Sequence, residues 1–538
     1  MKKLVRYVIA SQWLMINPSS YYSGPIIMSS AIQDSYDQLL ERSKRLTVLG
    51  TTAALAGWDM QTYMPARGIG LRSEQLSLMS ILYHQALTDP KVAEILDKIE
   101  RSKDYVDLSY EQKRNVHLMR KAYDETSKIP EVLVAKMSKQ ETVTFDAWRK
   151  AKATKDYKAY APELSKMIDL KKEAAQILMD VKGTKTSYDA LLDSYEPGIT
   201  AEKIEEVFSG MRDGLVRIIN KVGSSGVKPD DAFLSREVPV EAQRKISAEA
   251  MKFIGFETVG ENAGGRLDEC EHPFTTGYYT DVRITTHYYP NKFSSSLYSV
   301  MHEGGHALYE QAIPQAWMYQ PIGSPCSYGI HESQSRYVEN MIGRSPEFLS
   351  FMLPKLRKIT GKALTGIKTA DFVSAVNVIE PSKIRIEADE ATYGLHIIIR
   401  FEMEKDIMSD KLAIDELPGA WNERYDKYLG MKIDNDSEGV MQDVHWSSGS
   451  LGYFPSYALG NIYGGMFLKK MDKDIPSWRN DIKGGRYQPV KEWLAQNIHS
   501  KGNLYDPADL VKNVTGQDLD IAPFIGYLER KCKYVYGV

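Results

Sequence analysis

Seven of the ten histidines in this chain fall between His272 and His445, and within that stretch lies His302-Glu303-Gly304-Gly305-His306. On a helix, residues four apart share a face, so both imidazoles of an H-E-x-x-H segment reach one ion. Glu303 then stands beside the ion and not on it, where it takes a proton from an attacking water. The two glycines weaken such a helix by about 1 kcal/mol each relative to alanine, which points to close backbone packing at that spot. A catalytic zinc needs a third protein ligand and an open position. The segment His331-Glu332-Ser333-Gln334-Ser335-Arg336 offers two candidates, Glu332 and His331. The two-His-one-Glu set of zinc peptidases favours Glu332. The bland account of Glu332 is an exposed carboxylate at a helix start, held by the helix dipole.

Three polar clusters follow. Ile384-Arg385-Ile386-Glu387-Ala388-Asp389-Glu390 opens what reads as an amphipathic helix through Ile397, Ile398 and Phe401. Arg385 could clamp a carboxylate with two parallel hydrogen bonds; its bland alternative is an i, i+4 pair with Asp389. In Gly439–Trp446, His445 could donate to an oxyanion, or be a buried histidine bonded to its own loop. Tyr453, in Gly452-Tyr453-Phe454-Pro455-Ser456-Tyr457, offers a phenol on a tight turn, although ordinary packing explains either tyrosine alone.

The elements that must position these groups are helices almost throughout. Apolar residues recur at three- and four-residue spacing from about Ala31, with Leu39, Leu40, Leu46, Leu49 and Leu55 near one face. Further helices are predicted at about 70–87, 90–102, 109–126, 130–152, 157–182, 201–222 and 240–255, and loops at 222–226 and 259–265. Only Asp281–Tyr288 reads as a strand, being rich in β-branched and aromatic residues. A lone strand needs a partner for its backbone groups, and an extended peptide ligand is one candidate.

Composition sets the outer limits. Across 538 residues, 68 Lys+Arg face 71 Asp+Glu, so no general field draws nucleic acid or an acidic membrane surface. Three scattered cysteines, Cys270, Cys326 and Cys532, provide neither a disulfide framework nor a four-cysteine zinc site, and a reducing, cytoplasmic compartment is the simplest reading. Residues 1–30 resemble a signal peptide only faintly, since Arg6, Ser11 and Gln12 interrupt the apolar run. They read as a disordered extension or a misassigned start, and 31–538 as a single catalytic unit of two lobes about a cleft.

Taken in order along the chain, these segments resemble the carboxypeptidase Taq family of zinc metallocarboxypeptidases. His272-Pro273-Phe274 matches its His-Pro-Phe element, and Asp281, Arg283 and Thr285 its Asp-x-Arg-x-Thr strand. H-E-x-x-H is followed by His-Glu-Ser-Gln at His331 to Gln334, by Ile-Arg-x-x-Ala-Asp at Ile384 to Asp389 and by Gly-x-x-Gln-Asp-x-His-Trp at Gly439 to Trp446. The Gly-Trp-Asp and Tyr-Met-Pro stretches at 57–65 also look like the family's N-terminal region. The resemblance implies a mainly α fold with a long central cleft, a few short strands beside the zinc helix, and a homodimer. It implies one Zn²⁺ on His302, His306 and Glu332, with Co²⁺ a possible substitute, and release of single residues from peptides with a free C-terminus. Glu303 is then the general base, and Arg385 binds the terminal carboxylate. Arg283 and Thr285 bind peptide backbone by strand addition, His272 shapes the cleft, and His445, with Tyr453, stabilises the oxyanion. The rival readings are a zinc oligopeptidase or endopeptidase on the same metal site, and a non-catalytic peptide-binding protein.

Overall fold

The structure is a computed structural model that describes residues 31–538; the reading of residues 1–30 as an extension lies outside the described residues. The described residues form twenty α-helices, short helical turns and one three-stranded sheet. The mainly α architecture expected from the spacing of apolar residues is what the chain adopts. Of the helices predicted before residue 256, the seven that follow the first form within about two residues of their expected limits. Local chemistry sets those limits. Ser109 and Gln112 cap each other's backbone at the start of Tyr110–Ser127, Asp156 accepts from the Lys158 amide, and Gly255 closes Val240–Ile254 at φ 69°.

Two hydrophobic clusters hold the helices together. A small one gathers Leu39 and Leu46 of the first helix, Ala31–Thr62, with Val92, Leu96, Val116 and Met119. The large one is continuous from Ala151 to Tyr536. Leu55, expected on the buried face of the first helix, is exposed instead. The end of that helix abandons the small cluster for the sheet: Trp58 is buried beneath the guanidinium of Arg283, 4.3 Å from its ring, and Tyr63 donates to Asp268.

The sheet contains more than the one expected strand. β1 (Gly265–Glu269) runs parallel to β3 (Asp281–Thr286), and β2 (Thr275–Tyr278) runs antiparallel to it, in the order β1-β3-β2. β1 and β2 are short, glycine-containing and without alternation, so neither carries a period-2 signal. Their presence answers the pairing question differently from expectation. β3 is central and both its edges are taken, so no peptide can add to it.

The H-E-x-x-H segment sits within the helix Phe293–Ala312, which packs on the helix Tyr328–Arg336. The two glycines explain how close that packing is. A Cβ at Gly304 would lie 2.3 Å from the Ile254 side chain, and one at Gly305 would lie 2.5 Å from the Gln334 carbonyl oxygen and 2.8 Å from Ser335 Cα. The obstacle at Gly305 is backbone, which cannot swing aside. Gly305→Ala is therefore expected to destabilise the fold by about 1–3 kcal/mol, despite alanine's better helix propensity. A denaturant titration reads this directly, and an unchanged midpoint would refute the close-packing explanation.

Candidate metal centre and peptide cleft

The Tyr328–Arg336 helix starts one turn before Glu332, with Ser327 as its N-cap, and continues into a widened π turn over Tyr337–Ile342. Glu332 is thus inside a buried helix and is not an exposed helix-start carboxylate. Gly460, on the helix Pro455–Asp474, leaves the space it occupies: a Cβ there would lie 2.8 Å from Glu332 Cγ.

Glu332 meets both histidines of the neighbouring helix. Its Oε2 is 3.6 Å from His302 Nε2 and 3.4 Å from His306 Nε2. One ligand atom from each of the three residues lies within 4.8 Å of the other two. Ligands held at 2.0–2.1 Å in a tetrahedron stand about 3.4 Å apart, so this donor set fits one metal ion with a position left open. The competing ligand, His331, is otherwise engaged. Its Nε2 is 2.9 Å from Glu310 Oε1, and its ring stacks on His306 at 4.3 Å.

The electrostatics of the site call for a cation. Burial alone would lower the His302 imidazole, but Glu332 and Glu339 outweigh it and raise the group to about 8. Burial, with His331 next, pulls His306 down to about 3, leaving it a neutral donor. Glu332 is held well below the usual carboxylate range, with Arg336 and the histidines overcoming its burial. Glu303 goes the other way: burial raises it, opposed by His302 and by the Thr275 hydroxyl, which donates to Oε2 at 2.7 Å. A carboxylate with a raised pKa beside a metal site is suited to taking and returning a proton.

Residues that the sequence reading did not single out complete the surroundings. His302 Nδ1 faces Glu339 Oε2 at 2.9 Å, Arg344 bonds the other oxygen of Glu339, and Arg336 donates to Glu332 at 2.7 Å. Such partners fix the ring and raise its basicity as a ligand. Arg336 and Glu339 lie four and seven residues past Glu332, on the same helix face, and that spacing could have revealed them. Thr275 could not have been found this way, because it belongs to a strand with no sequence signal. Glu339→Gln is expected to weaken metal binding about 10–100-fold with the fold intact. Competition with a chromogenic chelator measures this, and unchanged affinity would remove Glu339 from the site.

The metal group lies in a cleft of about 1140 Å³, larger than most small-molecule pockets. Arg385, Tyr453 and His272 also line it. Arg385 does not pair with Asp389, which instead caps the helix Glu390–Met408. Its guanidinium bonds Asp443 at 2.8 and 3.0 Å and the Tyr393 hydroxyl at 2.9 Å, and it remains at the cleft wall. The helix Glu390–Met408 is buried on nearly every side, not amphipathic as expected; Arg400 is fully buried within it and holds the other oxygen of Asp443.

Three expected site residues stand elsewhere. Thr285 is fully buried, and its hydroxyl is tied to the backbone of Phe274, so it shapes the His272-Pro273-Phe274 loop and cannot touch substrate. Arg283 pairs with Asp281 and covers Trp58, joining the sheet to the first helix away from the cleft lining. His445 does not line the cleft either. It stacks on Tyr453 and packs against Phe454, and burial holds it neutral by lowering it to about 4. In each case the sequence shows a polar side chain but not which way its backbone turns it.

A mainly helical protein with a cleft that brings together two histidines and a glutamate able to hold a metal ion, with a second glutamate beside them, has the make-up of a metallopeptidase. Comparison with known proteins gives the family. Residues 38–532 match the model of the carboxypeptidase Taq (M32) metallopeptidases. Thermostable carboxypeptidase 1 of Thermus thermophilus is 38% identical over 510 residues, spanning 94% of this chain and 99% of its own. Carboxypeptidase 1 of Bacillus subtilis is 37% identical over 498 residues, spanning 92% and 97%. The crystal structure of the M32 carboxypeptidase from Deinococcus radiodurans superposes with a TM-score of 0.90 at 34% identity, covering 94% of this chain and all of that one. The chain belongs to the carboxypeptidase Taq (M32) family of metallopeptidases and is a metallocarboxypeptidase.

Proposed function

We propose that this carboxypeptidase uses zinc held by His302, His306 and Glu332 to remove single residues from peptides with a free C-terminus. The observation that carries this reading is the convergence of those three donors beside Glu303 in a cleft whose wall also presents Arg385. When bound, the metal supplies a Lewis acid that polarises the scissile carbonyl and acidifies water. Glu303 takes the proton of the attacking water and returns it to the leaving amine, with the Thr275 hydroxyl aiming its carboxylate. Arg385, held rigid by Asp443 and Tyr393, binds the substrate's terminal carboxylate through the N–H groups that those partners leave free. Tyr453 is better placed than His445 to donate to the oxyanion. It faces the cleft, and burial keeps its phenol protonated. Three free, buried cysteines support action in the cytoplasm, and the family resemblance supports a homodimer; Co²⁺ is a candidate substitute for zinc.

The test compares one peptide with its C-terminal amide by mass spectrometry, using wild type and Arg385→Ala. Stepwise loss of single C-terminal residues from the free acid alone, reduced about 100-fold or more in the variant, is expected for a charge-assisted anchor. Internal cuts in both peptides, unaffected by the substitution, would make the protein an endopeptidase.

A further inference from the structure

The helix that carries Glu332 also acts as a ruler along the cleft. Tyr328, Glu332, Arg336 and Glu339 all line it, at spacings of four, four and three that keep them on one helix face. At 1.5 Å per residue, Tyr328 stands about 6 Å before Glu332 and Arg336 about 6 Å after it.

The two sides of the metal group differ in chemistry. Beyond Glu332 the wall is charged, with Arg336 and Arg385 set among Glu339 and Asp389. The Arg336 guanidinium lies 4.7 Å over the ring of Tyr393, whose hydroxyl accepts from Arg385. Before Glu332 the wall is aromatic. Tyr328 packs edge-on against Tyr195 (5.5 Å) and Tyr453 (5.6 Å), and those two rings meet at 5.2 Å. The trio is fixed from beneath. The Tyr328 amide donates to the Tyr195 carbonyl, and buried Glu196 accepts from Ser327 and from the Gly329 amide, pinning the start of the helix. Despite this support, Tyr328 is 52% exposed. A large ring held rigid by two others, yet open to the cleft, presents apolar contact area with little ordering cost left to meet on binding.

We propose that Tyr328, backed by Tyr195 and Tyr453, determines specificity on the amino side of the scissile bond. It receives the side chain of one of the two residues preceding the released one, and it favours large apolar or aromatic groups there. The direction rests on the reading of Arg385 as the carboxylate anchor: with the terminal carboxylate on the Arg336 and Tyr393 side, the rest of the peptide leaves past Tyr328. An extended chain advances about 3.4 Å per residue, so a 6 Å step corresponds to one or two positions.

The test is a set of free-acid peptides with a constant C-terminal residue, in which the penultimate and antepenultimate positions are varied one at a time among Gly, Ala, Leu, Phe and Tyr. Wild type is expected to prefer Phe, Tyr or Leu over Gly at one of these positions by about tenfold in kcat/KM, carried mainly by KM as uniform binding is. Tyr328→Ala should flatten that preference, while Tyr328→Phe, which keeps the ring and loses only the hydroxyl, should retain it and serve as the folding control. A flat wild-type profile at both positions, or a preference that persists unchanged in Tyr328→Ala, overturns the proposal. Product masses separate this failure from failure of the anchor reading. Internal cuts would overturn the anchor and the inference together, whereas C-terminal trimming without upstream preference overturns the inference alone.

Discussion

Glu303→Gln is expected to keep its metal and lose turnover, with kcat falling about 10²–10⁴-fold. The amide is nearly isosteric and still accepts the bond from the Thr275 hydroxyl, so the local packing survives. What it cannot do is take a proton. Glu303 is not one of the three converging donors, so stoichiometric metal should remain after dialysis, measured by inductively coupled plasma mass spectrometry. KM should change little, because the carboxylate acts on the reaction and not on the ground-state peptide. Substantial turnover by the metal-loaded variant would overturn the assignment of Glu303 as the base.

Glu332→Gln should have the opposite signature, losing the metal itself. It removes the only anionic donor among the three and leaves Arg336 with Glu339 as its remaining carboxylate partner. The loss in metal affinity should exceed the 10–100-fold expected for an outer partner such as Glu339. Thermal denaturation offers a readout independent of activity. A ligand bound only by the native state adds about 4 kcal/mol at a thousandfold excess over its Kd, so chelation should lower the wild-type Tm and added zinc should restore it. In Glu332→Gln neither treatment should move the transition at the same concentrations. A normal zinc-dependent Tm in the variant would mean that the ion is held elsewhere.

Much of the candidate metal centre is legible in the sequence because its logic is local. Two histidines four apart with a glutamate between them define their shared geometry on any helix, and the apolar positions of Phe293–Ala312, among them Leu297, Val300, Met301 and Leu308, bury that helix in the core. The place proposed for Glu303, beside the ion and not on it, also follows from that spacing, whereas the choice of Glu332 rests on the ligand set of zinc peptidases and on the family resemblance. The long helices before residue 256 were readable for the same reason.

Other decisions depended on contacts between distant segments. The sequence favours Glu332 over its neighbour His331 only through the peptidase ligand set and the family resemblance; the fold adds a physical reason, since Glu310, on the facing helix, engages His331. Asp389, four residues from Arg385, is the bland alternative as its partner; the fold instead brings Asp443, 58 residues away, and uses Asp389 as a helix cap. Arg283 and Thr285 carry the right chemistry for a peptide site but belong to a central strand whose edges are filled, so they brace the sheet and the Phe274 loop. By itself, then, the sequence determined which chemistry the protein carries and the helices that carry it, since both follow from periodicity within about one turn. Which carboxylate meets which cation, and which side chains face the cleft, was decided only by tertiary structure, because burial and close backbone approach between helices select among partners that are equivalent along the chain.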